Sequence, residues 1–216
     1  IAKNSNIRIC IICYNTASFM KKFSILYPIV FLVVLLLQVF LASQKLLWTD
    51  ELFTQRNLEN VTYRDICKGS LLGEGNTFPL YYLIQKTLLV SHQFKLPYAW
   101  KGEAAIYEPF SQVFLRLPSI LFMSIALTLL FYFLAQNYNK KIALIGLLFL
   151  FTNPMIWIYG PEGRPYALFF LLSSIQMLIL TNILQTNNLK TWKALAITHI
   201  FLSLTIIFSI PQILFT

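Results

Sequence analysis

Residues 23–43 read FSILYPIVFLVVLLLQVFLAS, an apolar run that contains no charged side chain. About 20 helical residues, at about 1.5 Å each, are enough to cross a bilayer core of about 30 Å. The run therefore predicts a transmembrane helix. Four later runs have the same character and predict four more: residues 117–139, 142–161, 165–189 and 194–216.

The composition of the whole chain agrees with this prediction. Of its 216 residues, 57% are hydrophobic and 12% are charged, whereas a soluble domain has about 45–50% apolar and about 25% charged residues. One soluble core of this size cannot enclose such an excess of apolar residues. The composition excludes a soluble enzyme, a disordered chain and a disulfide scaffold. It predicts an all-α polytopic membrane protein with about five transmembrane helices.

Almost all of the net charge of +9 lies in the segment before the first apolar run and in two short segments between later runs. Cytoplasmic loops of membrane proteins carry this excess of basic residues. The charge therefore indicates orientation in a plasma or inner membrane and not nucleic-acid binding, with residues 1–22 as a cytoplasmic N-terminal segment. Eight basic residues without a neighbouring carboxylate form the pattern: Lys3, Arg8, Lys21, Lys22, Lys140, Lys141, Lys190 and Lys193.

A sixth apolar run, residues 78–91, is shorter and contains Lys86. It has too few apolar residues to cross a bilayer, and a crossing here would place later lysine pairs outside. We therefore expect an interfacial or re-entrant helix. Residues 44–112 then form a long first outer loop with interfacial helices, and residues 113–216 contain transmembrane helices 2–5. A short second outer loop covers residues 160–165.

The N-terminal residues carry little functional signal. Met20 is followed by two lysines and the first apolar run, which resembles a natural start, so we expect residues 1–19 not to belong to the functional protein. Cys10 and Cys13 form a CxxC pair without a second ligand pair. We interpret them as incidental thiols and predict no metal site.

The first outer loop opens with two adjacent carboxylates, Asp50 and Glu51, directly after the first transmembrane run. They could be solvated charges, or a general base and its partner at the membrane boundary. Neighbouring residues on a helix point about 100° apart, so the two cannot act alike on one atom. The functional interpretation makes Asp50 the reactive group and Glu51 its support.

The second outer loop contains Glu162 and Arg164, followed by Pro165. Proline fits the first position of a helix, which places Arg164 beside a helix N-terminus. An arginine beside the positive end of a helix suits a phosphate. An arginine that snorkels and pairs with Glu162 fits the same residues, and both interpretations stay open at this point.

Pro79 and Pro118 also lie at the predicted outer boundary. Together with Pro165 they predict three helices that begin with proline there. Four tyrosines lie near these starts: Tyr81, Tyr82, Tyr159 and Tyr166. They fit an interfacial aromatic belt. They also fit a groove for a sugar or an isoprenoid chain.

Five short motifs follow one another along the chain: Trp48-Thr49-Asp50-Glu51, Pro79-Leu80-Tyr81-Tyr82, Leu115-Arg116-Leu117-Pro118-Ser119, Asn153-Pro154-Met155-Ile156-Trp157 and Glu162-Gly163-Arg164-Pro165-Tyr166-Ala167-Leu168. In this order they resemble the polyprenyl-phosphate-sugar-dependent glycosyltransferases of the GT-C superfamily. The likeness is to the protein-mannosyltransferase and aminoarabinose-transferase type (glycosyltransferase family 39-like), and it covers about residues 40–200, the N-terminal part of such enzymes. Two positions depart from the family pattern: Thr77 lies where a histidine is common, and Gly163 where alanine is common.

The resemblance implies a role for each group of residues. Asp50 and Glu51 would form the catalytic carboxylate site. Arg164 and Tyr166 would bind the donor phosphate, and the charge of Arg116 would help. Three residues would line the substrate groove: Tyr81, Tyr82 and Glu162.

The implied reaction moves a sugar from a polyprenyl-phosphate donor to an acceptor hydroxyl at the outer face, by an inverting displacement with a carboxylate base. The acceptor would be a glycolipid, a polysaccharide or a protein. No cofactor is required, and a divalent cation is left open because some GT-C relatives use one. The alternative is a non-catalytic membrane subunit or transporter of cell-envelope glycan assembly. All eight carboxylates fall outside the five runs, which favours chemistry at the outer boundary over passage through the core.

Overall fold

The structure is a computed structural model that describes residues 25–59, 62–73, 77–90, 109–186 and 188–215. Over these ranges the chain is helical, apart from one isolated bridge between Thr77 and Ile206. The all-α class is thereby confirmed. The helices are α1 (Leu26–Gln44), α2 (Thr49–Glu59), α3 (Tyr63–Gly73), α4 (Leu80–Val90), α5 (Pro109–Asn137), α6 (Lys140–Phe151), α7 (Pro154–Tyr159), α8 (Tyr166–Thr186), α9 (Leu189–Ser203) and α10 (Ser209–Leu214).

Among the described helices, three are long and apolar enough to cross a membrane by length and composition: α1, α5 and α8. They correspond to three of the five predicted transmembrane runs. The protein is thus a membrane protein, as the sequence predicts. The predicted N-terminal segment, residues 1–22, lies outside the described residues. The same holds for the predictions about residues 1–19 and the CxxC pair.

The two other predicted runs are each divided into two shorter helices. Residues 142–161 break after Thr152, where the Asn153 side chain accepts a hydrogen bond from the Met155 N–H and Pro154 begins α7. An asparagine cap followed by proline is a strong start signal for a new helix. Residues 194–216 break at 204–208, because the backbone there pairs with the segment that precedes α4.

The long helices form an up-and-down bundle with α5 at its centre. α5 packs against α1, α6 and α8, and α9 packs against α8. Near the start of α1, Tyr27 contacts Phe131 and Tyr132 near the end of α5, which makes these two helices antiparallel. We call the end where α1 finishes and α5 and α8 begin the site end. The opposite end, where Lys140 and Lys190 follow α5 and α8, is the lysine end.

Helices α2, α3 and α4 of the first outer loop pack on one another at the site end. Tyr81 and Tyr82 of α4 join a small core with Ile66 of α3 and Leu168 of α8. α4 is therefore a short helix of 11 residues that lies against the long helices. The interfacial position predicted for 78–91 stays a prediction.

Proline marks two of the three predicted helix starts. Pro79 directly precedes α4 and Pro165 directly precedes α8. The prediction for Pro118 is wrong, since α5 begins at Pro109 and continues through Pro118. Proline has no N–H for the turn below it. Close to Pro118, the side chains of Arg116 and Ser119 form buried hydrogen bonds to α2 and to the loop before α8.

Candidate functional site

The first of two acid–arginine pairs at the site end joins Glu51 of α2 to Arg116 of α5. The Glu51 Oε1 atom accepts a hydrogen bond from Arg116 Nε at 2.7 Å, and Oε2 accepts one from Nη2 at 2.5 Å. The Arg116 side chain is 1% exposed and that of Glu51 is fully buried. Such a bidentate contact is the strongest geometry that an arginine and a carboxylate can form. We call it the buried pair.

Arg116 also binds the end of α1. Its Nη1 atom donates to the carbonyls of Ala42 and Lys45, both at 2.6 Å, and Nη2 donates to Leu46 O at 3.0 Å. A guanidinium has five N–H donors, and all five are satisfied within the protein. A cation at a helix C-terminus also complements the helix dipole. We therefore assign Arg116 a structural role, in place of the phosphate contact that the resemblance implies.

Glu51 extends the buried pair to the second outer loop. Its Oε1 atom also accepts the backbone N–H of Gly163 at 2.8 Å. One carboxylate thus contacts both α5 and the loop before α8. The supporting role of Glu51 in catalysis stays a prediction. A Cβ atom at Gly163 would meet Glu51 Oε1 at 3.6 Å and Leu115 at 3.7 Å, which are ordinary contacts. The family's usual alanine would fit here.

The second pair joins Asp50 of α2 to Arg164, and we call it the open pair. Arg164 Nη2 lies 3.5 Å from Asp50 Oδ2. The Asp50 side chain is 37% exposed, whereas that of Arg164 is 8% exposed. The segment that follows α1 and the segment that precedes α8 therefore meet at the site end, as the sequence predicts. Asp50 faces solvent here, and Arg164 is held beneath it.

Aromatic groups and the start of α8 surround Arg164. Its guanidinium carbon lies 6.0 Å from the centre of the half-buried Tyr166 ring, and the Tyr159 ring lies 4.8 Å from that ring. Arg164 Nη1 donates to the Tyr82 hydroxyl at 3.4 Å. The guanidinium is thus kept beside the N-terminus of α8, as the sequence predicts for a phosphate site.

Tyr81 and Tyr82 are both fully buried. The Tyr81 hydroxyl hydrogen-bonds Ser119 Oγ at 2.6 Å, and Ser119 Oγ donates to Arg164 O at 3.2 Å. Burial raises the pKa of the Tyr81 phenol, which keeps it a neutral hydrogen-bonding group. Both tyrosines thus lie in the protein interior and contact Arg164, Tyr82 directly and Tyr81 through Ser119. Their burial does not favour the predicted role as groove lining.

Glu162 lies in the second outer loop and is 5% exposed. Its buried Oε2 atom accepts no hydrogen bond from the described residues. Burial raises the pKa of Glu162 to about 7, and the charge of Glu51 acts in the same direction, against the opposing charges of Lys45, Arg116 and Arg164. Glu162 is therefore the carboxyl group of the site whose charge changes near neutral pH.

Lys45 belongs to the site end, although the sequence analysis did not single it out. Its Nζ atom donates to the carbonyls of Trp157 at 2.7 Å and Ile158 at 3.0 Å. Burial lowers its pKa, while the charge of Glu162 opposes that change. Lys45 ties the end of α1 to the last turn of α7. In the sequence, the position of Lys45 as a single cation between the first apolar run and the Asp50 motif could have indicated this residue.

Metal ligands do not converge at this site. Within the described ranges, no group of three or more His, Cys, Asp or Glu side chains is placed to hold a metal ion. Asp50 and Glu51 point to different arginines, which separates the two carboxylates that stand closest in sequence.

Comparison with known sequences decides the family. The sequence profile described as dolichyl-phosphate-mannose-protein mannosyltransferase matches residues 92–216, more than half of the chain. The chain belongs to this family. It is a membrane glycosyltransferase of the GT-C type, and the resemblance seen in its motifs is confirmed. No curated protein and no solved structure matches the chain.

Family membership also fixes the general class of the partners. A transferase of this family uses a lipid-linked sugar donor and an acceptor at the membrane. The matched region contains Arg116, Glu162 and Arg164, whereas Asp50 and Glu51 lie before it. The contacts of the two pairs connect this transferase's first outer loop to the matched region.

Proposed function

We propose that this membrane glycosyltransferase moves a sugar from a polyprenyl-phosphate donor to an acceptor hydroxyl at the outer face of the membrane. The observation that carries the proposal is the contact of 3.5 Å between Arg164 Nη2 and Asp50 Oδ2. It brings a phosphate-binding cation next to a partly exposed proton acceptor.

The donor phosphate binds at Arg164. The guanidinium stands immediately before Pro165 and the first residue of α8, where the positive end of the helix dipole favours an anion. Tyr166 and Tyr82 hold its plane in place. The apolar tail of the donor stays in lipid beside the long helices. Arg164 then stabilises the charge that develops on the departing phosphate.

Asp50 accepts the proton of the acceptor hydroxyl. It is the more exposed member of the open pair, so an acceptor from the aqueous side can reach it. A positioned general base contributes about 10²–10⁴-fold to a reaction of this kind. Glu51, fully engaged with Arg116 and Gly163, fixes the start of α2 and thereby the position of Asp50.

The reaction is a single displacement. The acceptor oxygen forms a bond to the anomeric carbon, and the bond from that carbon to the phosphate oxygen breaks. The electron pair of the broken bond stays on the phosphate, and the hydroxyl proton goes to Asp50. Attack opposite the leaving group inverts the anomeric centre. The acceptor is a protein hydroxyl, a glycolipid or a polysaccharide.

Asp50→Asn tests the base. We expect the rate of sugar transfer from a polyprenyl-phosphate donor to fall by about 100-fold or more, because an amide cannot take the proton. The measurement is transfer of radiolabelled sugar per unit of folded protein. Asp65→Asn is the matched control, since Asp65 is an exposed carboxylate of α3 that bonds to Thr62 and is not a member of the open pair. Transfer by Asp50→Asn at the rate of the control would exclude this role.

Arg164→Lys tests the phosphate contact. Lysine keeps the charge but lacks the planar fork of donors, so the apparent KM for the donor should rise by about tenfold. Arg64→Lys, at an exposed position of α3, controls for the substitution itself. An unchanged donor KM in Arg164→Lys would place the phosphate elsewhere.

A further inference from the structure

A cavity of about 530 Å³ lies between α5 and α8 at the lysine end, far along both helices from the open pair. Its position follows from the chain, because its lining residues belong to the last three turns of each helix. Arg164 precedes the first turn of α8, and Asn182 and Gln185 of the cavity lie near the last. The cavity is therefore separate from the transfer site.

The walls change character along the helix axis. The residues deepest in the bundle are apolar, among them Leu129, Phe133 and Ile179. The residues nearest the lysine end are polar, among them Asn137 and Gln185. Leu129 stands eight residues before Asn137, which corresponds to about 12 Å along a helix. An occupant needs an apolar part that reaches inward and a polar part that stays at the helix ends.

The polar end can still bind a ligand. A primary amide offers two N–H donors and one carbonyl oxygen. Asn137 uses one donor on the Phe133 carbonyl at 2.9 Å, which leaves its second donor for an occupant. The Gln185 side chain is exposed at the mouth.

Positive charge flanks the mouth on both sides. Lys140 and Lys141 follow α5 within four residues, and Lys190 and Lys193 follow α8 within seven. All four side chains are exposed, and residues 138–141 and 186–193 contain no carboxylate. Basic pockets between transmembrane helices attract anionic lipid headgroups, and exposed lysines reach such headgroups by extending along the interface.

We propose that this cavity binds one anionic phospholipid from the leaflet at the lysine end. An acyl chain occupies the apolar part, the amides contact the glycerol and phosphate oxygens, and the lysines pair with the headgroup charge. The assignment is independent of the sugar-transfer proposal, because it uses none of the residues of the two pairs.

The test titrates purified protein in detergent with phosphatidylglycerol or phosphatidylcholine and counts bound lipid by native mass spectrometry. We expect one retained lipid with a preference for phosphatidylglycerol of about tenfold or more. Joint Lys140→Gln and Lys141→Gln substitution should reduce that preference to about threefold or less. Lys68→Gln, at an exposed lysine of α3, is the charge control and should change nothing.

A second variant tests the cavity itself. Ile179→Trp fills the apolar part and should remove the retained lipid, whereas Ile145→Trp on the exposed face of α6 should not. The thermal unfolding midpoint of Ile179→Trp in detergent, measured in parallel, reports whether the bundle is intact. No retained lipid in the wild-type protein, equal binding of both lipids, or retention that survives Ile179→Trp would each overturn the proposal.

Discussion

Asp50 and Glu51 are adjacent acidic residues of α2, yet their surroundings differ in almost every respect. Glu51 is fully buried, bound through both oxygens to Arg116 and bound to the Gly163 N–H. Asp50 is partly exposed and meets Arg164 at 3.5 Å. Two neighbouring residues with the same charge therefore have different surroundings. The exposed fraction of each side chain and the number of its hydrogen bonds distinguish them, whereas the charges in the sequence do not.

Glu51→Ala should give the largest change in stability. It leaves the buried Arg116 guanidinium without its counter-charge, and breaking a buried ion pair in this way costs about 3–5 kcal/mol. The effect is measured by thermal unfolding in detergent, with the loss of monodisperse protein as the signal. Lys68→Ala, at an exposed position of α3, should leave the midpoint unchanged. A wild-type midpoint in Glu51→Ala would show that the buried pair does not hold the site end together.

Gly160→Ala and Gly163→Ala form a matched pair with a smaller expected difference. A Cβ atom at Gly160 would lie against the Ile156 carbonyl and 2.7 Å from Gln38 Oε1, and one at Gly163 would make only ordinary contacts. Overpacking costs about 1–3 kcal/mol, so Gly160→Ala should lower the unfolding temperature and Gly163→Ala should not. Equal destabilisation by both would contradict the close packing at Gly160.

The pH dependence of the free energy of unfolding provides a separate test, at Glu162. Its folded pKa of about 7 exceeds the ordinary glutamate value of 4.5. Between these values the folded protein binds more protons than the unfolded chain, so this group makes stability fall as pH rises from about 4.5 to 7. The unfolding temperature of Glu162→Gln should therefore fall less over that range than that of the wild-type protein. Parallel curves for the two proteins would contradict the raised pKa.

Much of the fold could be predicted from the sequence because the bilayer imposes a simple length rule. Uninterrupted apolar runs marked α1, α5 and α8, and the short run with Lys86 marked α4. Proline was a weaker guide. Pro154 begins a helix because Asn153 caps it, whereas Pro118 stays inside α5, where neighbouring side chains are fixed by tertiary hydrogen bonds. That difference depends on contacts with other helices.

The candidate site was predictable in outline for a related reason. Polar residues directly beside apolar runs lie at the membrane boundary. Asp50 and Arg164 could therefore be predicted to lie at the same end of the long helices. The role of Arg116 could not be predicted, because it depends on where the last carbonyls of α1 end. The burial of Tyr81 depends on how α4 is rotated against α5, and no local pattern reports that rotation.

We propose that the open pair performs the chemistry while the buried pair maintains the structure. To test this, Asp50→Asn and Glu51→Gln are purified side by side, and the sugar-transfer rate of each is divided by the amount of folded protein. We expect normal folding and a loss of about 100-fold or more for Asp50→Asn. For Glu51→Gln we expect a low folded yield and a smaller loss per folded molecule, because Glu51 acts on Asp50 only through the position of α2. A retained rate per folded molecule in Asp50→Asn, with the larger loss in Glu51→Gln, would refute this division of roles.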